Sequence, residues 1–558
     1  MPLGGHAISG LLSPEWGTTP GAPGMTIVRM PTPTSIVCGV IAALTLVAGG
    51  CTSIDQVAAG AGKSVAELVA QADAVPTPRV SWTPCAEEAL RRYECASVPV
   101  PLDYARPDGP TIALAILRQR ASDPTRRIGT LFTAAGGPGG SGIDWAADGE
   151  LFPGELSRQF DVITFDQRGV GRSAPVRCFP NSAVQNEFWR NIAIPPIDDR
   201  QQHGTENASR QLAAGCAAES GELISHLTTV DAARDLDLLR RAVGDEKLTY
   251  GGSSYASYLG IVYGTLFPDR VRALQLSSIV DPDAYTTDTR SHIADTAQGT
   301  EEVLTELLRL CATAGPRHCA FAGSPKSSAT DLRARDTAVL DQSKVAPIQV
   351  GQGSESVSVT YNEIVQAHAM LLYSPARGWP ALATLLTELE LGSAGHPDVV
   401  REILAAVGMT GDFLASFVAI SCADNTFTRQ SHRWPEFAQE SAERSPVYGP
   451  FWLYLRQPCA AWPAPETGYP QRFTGPWTQQ SPVPALLLNN RFDPATPLTS
   501  ARRAAQAMGT ARLVVVTDGY GHEPTGECAT TLRERYLIDL RIPEPDTTCT
   551  TGQTPFAE

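Results

Sequence analysis

The chain has 558 residues, 42% of them hydrophobic, and carries a formal net charge of −15 with a pI near 5.2. A chain of this size can bury a large core and suits several domains or one large domain with an insertion. Its acidic balance excludes the concentrated positive surface that nucleic-acid partners require, and no nucleic-acid-binding motif is present.

Near the N-terminus, residues 35–50 (SIVCGVIAALTLVAGG) form an apolar run shorter than a membrane span, preceded by Arg29 and followed by Cys51. The pattern reads as a signal peptide over residues 1–50 that ends at a lipid-modified cysteine, Cys51, so the protein is expected to be exported and anchored to the membrane through that lipid. Residues 1–24 do not resemble the charged start of a signal, which makes Met25 or Met30 an alternative start. Residues 51–80 are rich in Ala, Gly and Val and read as a tether, with the folded body beginning near Trp82. Of twelve cysteines, Cys38 lies in the signal and Cys51 at its end, leaving ten, an even number suited to disulfides in an oxidising compartment. Short separations suggest Cys85 with Cys95 and Cys311 with Cys319. The other six have no spacing that reads as a zinc site, and neither a metal nor a cofactor is expected.

Beyond Trp82, continuous apolar runs bounded by turn signals recur at residues 111–117, 129–135, 160–166, 247–252, 271–278, 484–490 and 511–518. Runs of this length fit strands buried on both faces of a mostly parallel sheet covered by helices. Helical patterns separate several of them. In VDAARDLDLLRRAVG (residues 230–244), Val230, Ala233, Leu236, Leu238, Leu239 and Val243 share one face, with Arg and Asp on the other. The alternation breaks over residues 283–480, which read mainly as helix. The expected organisation is therefore an α/β core in two parts, residues 81–282 and 481–558, with a helical lid inserted between them.

The stretch YGGSSYASYLG (residues 250–260) follows one of the strand runs. A nucleophile elbow, G-x-S-x-G on a strained turn from strand to helix, needs small residues two places either side of the serine. Counting from Gly252 sets Ser254 at the centre with Ala256 in the second small slot. Counting from Gly251 would set Ser253 there, with the bulky Tyr255 in that slot. Ser254 is the candidate nucleophile. A serine needs a base and an acid to orient that base, and the order Ser, Asp, His is met by Asp493 and His522, each just past a late strand run. Asp518 is a rival acid, four residues before His522. The oxyanion of an acyl-transfer intermediate needs two donors. The backbone N–H of Tyr255 supplies one, and the glycine loop FTAAGGPGGSG (residues 132–142) supplies the other through Gly136 or Gly137, with Gly137 preferred. That loop lacks the Lys-Ser/Thr ending of a phosphate-binding loop. In FDQRGVGRS (residues 165–173), Asp166 and Arg168 could help shape the site, with a buried ion pair holding the loop the favoured reading, and Thr496-Pro497 fits the N-cap and first position of a helix, although the Thr496 hydroxyl could also steady the catalytic acid. Within the lid, Asp424 is a candidate anchor for a substrate ammonium, weighed against a plain surface or capping aspartate.

Taken in order, CASVPVPLDYARPDG, GGPGGSG, FDQRGVGRS, YGGSSYASYLG, NRFDPATP and GYGH resemble the secreted tripeptidyl-aminopeptidase-like α/β hydrolases of actinobacteria, relatives of prolyl iminopeptidase that include mycobacterial lipoprotein serine proteases. The resemblance spans Trp82 to Cys549, with Ala256 a departure from the family's usual glycine and Ala135 from its usual His or Pro. It implies an α/β-hydrolase fold, removal of short peptides or single residues from free peptide or protein N-termini, and disulfides pairing Cys178 with Cys216, Cys422 with Cys459 and Cys528 with Cys549. An esterase or amidase on small substrates would use the same triad, because the fold does not set the acyl group. A non-catalytic envelope binding protein is the alternative of a different class.

Overall fold

A computed structural model of the chain describes residues 63–463 and 468–556. The signal segment, Met25, Met30 and Cys51 lie outside the described residues.

Ten strands form one sheet in the order β1-β2-β3-β5-β4-β6-β7-β10-β11-β12. They are β1 (Thr83–Pro84), β2 (Glu94–Pro101), β3 (Thr111–Gln119), β4 (Gly129–Ala134), β5 (Phe160–Phe165), β6 (Leu248–Ser253), β7 (Val271–Ser277), β10 (Leu486–Phe492), β11 (Arg512–Tyr520) and β12 (Thr548–Cys549). From β5 to β12 every neighbouring pair is parallel, whereas β1, β2 and β3 pair antiparallel with one another and β3 pairs antiparallel with β5. The central strands carry runs of buried residues, such as Leu486, Leu487 and Leu488 in β10, as strands covered by helices on both faces do. β3, read from the sequence as such a strand, instead alternates burial over its first half, as an antiparallel strand near an edge does. The sequence reading missed β2, where Pro99 and Pro101 interrupt the apolar pattern, although Val98 and Val100 point into the core.

Between β7 and β10 the chain leaves the sheet for helices that include Thr289–Ala314, Tyr361–Leu371, Gly378–Leu391, Pro397–Val407, Gly411–Asp424 and Tyr448–Tyr454. A small antiparallel hairpin, β8 (Ile348–Val350) with β9 (Val357–Val359), interrupts them. Five disulfides, Cys85–Cys95, Cys178–Cys216, Cys311–Cys319, Cys422–Cys459 and Cys528–Cys549, tie the described cysteines and fit an oxidising compartment.

Two expectations are corrected. The segment read as a tether contains a helix, Val65–Asp73, capped by Ser64 through a capping box, and Leu68, Ala72 and Val75 are buried in the main core. Its low aromatic content hid a short apolar stripe that needs only small side chains to pack. Second, the helix Thr229–Ala242 is not half solvated. Its Arg and Asp face is buried as well, because those charges pair among themselves and with neighbouring loops: Arg234 with Asp231, Arg240 with Asp237 at 2.8 Å, and Asp237 with Arg270 at 2.7 Å. The helix Val65–Asp73 closes over this face, with Gln71 accepting from Arg234 and the Ala72 and Val75 carbonyls accepting from Arg241.

Arg168 is the centre of that buried network. Its guanidinium forks onto Asp235 with two bonds of 2.7 Å and also donates to the Pro101, Leu102 and His226 carbonyls. Arg168 therefore holds the loop after β5, as the sequence suggested, but its partner is Asp235 rather than Asp166. Asp166 accepts instead from the Ser141 hydroxyl at 2.6 Å and from the Ile143 and Arg172 amides, which fixes the glycine loop's exit against β5. Replacing Arg168 by Met should cost about 3–5 kcal/mol by stranding the Asp235 carboxylate. Urea unfolding should show this loss and a partial recovery in the double variant Arg168→Met, Asp235→Leu; equal stability of Arg168→Met and the parent would contradict the analysis.

Candidate active site

Ser254 sits at the turn from β6 into the helix Tyr255–Leu266, with φ 60° and ψ −132°. A non-glycine residue held there is strained by on the order of 1–3 kcal/mol, and the surroundings must over-determine it. They do: the Ser254 amide donates to the Ser277 carbonyl of β7 at 3.1 Å, and the Ser254 carbonyl accepts from the Ser257 amide at 2.8 Å and the Ser257 hydroxyl at 2.6 Å. The flanking positions must be small. A Cβ on Gly252 would lie 2.6 Å from the Ala256 carbonyl oxygen, and one on Gly136 would lie 2.8 Å from the Ser254 Cβ. Ala256 is fully buried, its methyl accommodated in the core.

The two neighbouring serines face different spaces. Ser254 lines a cavity of about 200 Å³ together with His522, Gly136 and Gly137. Ser253 lines a second cavity of about 330 Å³ with Gln275 and Arg533, and its hydroxyl donates to the Glu523 carboxylate.

Asp493 and His522 come together from the loops after β10 and β11. His522 Nδ1 lies 2.9 Å from Asp493 Oδ1. A carboxylate oxygen only accepts, so Nδ1 carries the proton and Nε2 is left as an acceptor. Among the described residues Nε2 is buried without a hydrogen-bond partner, and the ring lines the cavity that Ser254 lines. Asp493 is itself held: Oδ1 accepts from the Ala495 and Thr496 amides at 2.9 Å each, and Oδ2 accepts from the Thr496 hydroxyl at 2.8 Å. Of the two roles the sequence offers Thr496, the hydroxyl contact to Asp493 is the one present; the following helix, Leu498–Met508, has Pro497 rather than Thr496 at its cap position. Asp518 is elsewhere, accepting from the Thr551 and Gly552 amides. The positive φ of Gly137, 115°, belongs to a loop folded tightly enough that a Cβ there would meet the Gly139 amide at 3.0 Å.

Residues 131–303 match the family model described as alpha/beta hydrolase fold, and residues 445–549 match the one described as TAP-like protein. The chain is 31% identical over 438 residues to the serine protease Hip1 of Mycobacterium tuberculosis, covering 75% of this chain and 80% of that one. It is 29% identical over 504 residues to the tripeptidyl aminopeptidase of Streptomyces lividans, covering 85% and 87%. A protein of Mycobacterium tuberculosis named carboxylesterase B is 28% identical over 500 residues, covering 85% and 91%. The chain belongs to the tripeptidyl-aminopeptidase-like α/β hydrolases of actinobacteria.

In this member of that family, Asp424 is not at the cavity. It ends the helix Gly411–Asp424, where both its oxygens are taken: Oδ1 accepts from the Thr229 amide and Oδ2 from the Thr229 hydroxyl, each at 2.7 Å. Burial pushes its carboxyl up to about 7, so it is largely protonated in mildly acidic conditions and a poor anchor for an ammonium. The ammonium-anchor expectation is corrected: Asp424 satisfies the first turn of the helix Thr229–Ala242 across the interface with the helical segment.

Three functional contacts were not foreseen. Asn490, at the end of β10, donates to the Tyr520, Gly521 and Glu523 carbonyls and so clamps the loop that carries His522. The His522 amide donates to the Tyr373 carbonyl at 2.8 Å, with the two rings 4.7 Å apart, which links the base to the helical segment. Arg456, 7% exposed, lines the cavity that holds Ser254. Only Asn490 had a sequence signal, since it ends the strand run at residues 484–490.

Burial alone would push the His522 imidazole down. The charge of Asp493 and the hydrogen bond to it outweigh burial, and its pKa rises above the ordinary histidine value. A base must be neutral to accept a proton, so activity should be lost as pH falls through a midpoint above about 6.5. In Asp493→Asn that midpoint should move to lower pH and the rate should drop by about 10⁴-fold. A rate limited by chemistry that stays flat from pH 5 to 8 would rule out a histidine base.

Proposed function

We propose that this protein is an exported serine aminopeptidase that releases short peptides or single residues from free N-termini through an acyl-enzyme on Ser254. The observation that carries the reading is the Asp493–His522 pair, whose unpartnered Nε2 borders the same cavity as a serine held at a positive φ. In the acylation step His522 Nε2 takes the Ser254 proton as Oγ attacks the scissile carbonyl, and Asp493 stabilises the imidazolium that forms. The amides of Tyr255 and Gly137 receive the developing oxyanion. His522 then delivers its proton to the leaving amine, and water repeats the sequence to free the acyl product. The Ser254–His522 hydrogen bond closes in the substrate complex, as such bonds do in sites of this type.

The names of the relatives support peptide chemistry, and the helices between β7 and β10 serve as a lid that limits the length of chain reaching Ser254. A signal ending at Cys51 and five disulfides support export with a lipid anchor. The relative named carboxylesterase B favours a second reading, ester hydrolysis by the same triad.

Tripeptidyl coumarylamides with a free amine, their N-acetylated twins and simple acyl esters separate these readings. The aminopeptidase reading expects the free-amine peptides to have the highest kcat/KM, and turnover restricted to the esters would replace it with the esterase. Ser254→Ala should lose several orders of magnitude in rate, whereas Ser253→Ala, which breaks only the contact to Glu523, should keep activity within about tenfold. A fluorophosphonate probe recovered on Ser253 would overturn the assignment.

A further inference from the structure

The cavity that holds Ser254 and His522 has mostly apolar and aromatic walls, including Phe413, Phe417, Met370 and Trp452, and one cation, Arg456. Arg456 lies between the helix Tyr448–Tyr454 and the short turn Gln457–Ala461. Its guanidinium stacks 4.0 Å from the centre of the Phe417 ring. Three residues further on, Cys459 is bridged to Cys422 in the same helix as Phe417, so the arginine and the ring beneath it are fixed to one another.

A buried arginine is ordinarily paired with a carboxylate or saturated by carbonyls, as Arg168 is here. Arg456 is neither. Its Nε and Nη1 atoms are buried without a hydrogen-bond partner, and it makes no ion pair among the described residues. Its polar neighbours do not neutralise it. Burial pushes the Tyr285 and Tyr373 phenols far up, so both stay uncharged, and His292, held down to about 3 by burial and then by Arg456 and Arg503, is neutral too. Glu523, the one acidic residue lining the cavity among the described residues, accepts the Ser253 hydroxyl. A desolvated guanidinium with open donors, beside a nucleophile and an otherwise apolar wall, is an arrangement whose missing element is an anion.

We propose that Arg456 is a specificity-determining residue that receives a carboxylate of the substrate, so that the enzyme selects peptides with an acidic group close to the scissile bond. This rests on the serine-hydrolase reading of the cavity. The carboxylate comes either from an Asp or Glu side chain on the acyl side, which the cavity holds through both halves of the reaction, or from a free C-terminus on the leaving side. The planar fork and the aromatic stack suit a carboxylate better than a lysine would.

The test uses matched pairs that differ by one charge. Tripeptide coumarylamides carrying Glu or Gln at each position in turn report the acyl side. Short peptides ending in a free carboxylate or a carboxamide report the leaving side. Binding of the same peptides, measured by calorimetry on protein carrying Ser254→Ala, gives a readout that does not need turnover. At one position the charged peptide should bind and be hydrolysed at least about tenfold better than its neutral twin. Arg456→Met should bring that ratio close to one, and Arg456→Lys should retain part of it. Equal binding of charged and neutral twins at every position by the parent protein overturns the proposal without recourse to a variant, as does a preference that survives Arg456→Met in folded protein. A binding preference that depends on Arg456, in a protein that hydrolyses none of the peptides, would sustain the anion site and defeat the peptidase reading instead.

Discussion

The carboxylate of Asp493 is the fixed point of the site. It is buried, and every donor that reaches it is accounted for: two amides and a hydroxyl from its own loop, and the Nδ1–H of His522. The three local donors orient the carboxylate before the histidine arrives, so the remaining direction selects both the rotamer and the tautomer of the imidazole. That choice leaves Nε2 as an acceptor at the cavity. The other half of the site is set independently by the backbone of Ser254, whose φ is tolerated only because the β6–β7 pairing and Ser257 lock the turn. Two rigid preparations, one electrostatic and one steric, thus meet at a single cavity.

Much of this was legible in the sequence. The parallel strands showed as apolar runs because burial on both faces leaves no room for polar alternation, and the serine, aspartate and histidine candidates each followed one of those runs. What was not legible has a common cause. A pattern of hydrophobicity reports which residues avoid water, and it is silent where charged residues are buried in pairs. The helix Thr229–Ala242 therefore looked amphipathic although both its faces are covered, and for Asp424 the sequence left an ammonium anchor open beside a capping role, of which the contacts to Thr229 match the second. The Val65–Asp73 helix was lost for the opposite reason, since its small side chains give a weak signal. Arg456 stands alone in a helix-rich stretch, and only three dimensions set it beside Ser254.

The interior charges divide into two kinds. Around Arg168, Asp235, Asp231, Arg234 and Asp237 each charge finds an opposite partner within the protein, and the network joins the loops after β2 and β5 to the helix Thr229–Ala242. Desolvation offsets much of the Coulomb gain in networks of this kind, so that removing one partner costs more than the pair contributes in net stability. Around the cavity two polar groups are left open among the described residues: the His522 Nε2 and the Nε and Nη1 of Arg456, none of which has a hydrogen-bond partner. Open polar groups in an apolar wall are where a ligand's own polar groups are received.

The bond from the His522 amide to the Tyr373 carbonyl ties the mobility of the cavity's roof to the integrity of the base. Tyr373 follows the helix Tyr361–Leu371, so any rigid lifting of that helix would pull on the backbone of His522 and spoil its alignment with Asp493. The Tyr373 side of the cavity is thus coupled to the His522 loop through the backbone. Met409, Thr410 and Phe413, which line the cavity around the start of the helix Gly411–Asp424, make no hydrogen bond to His522 among the described residues.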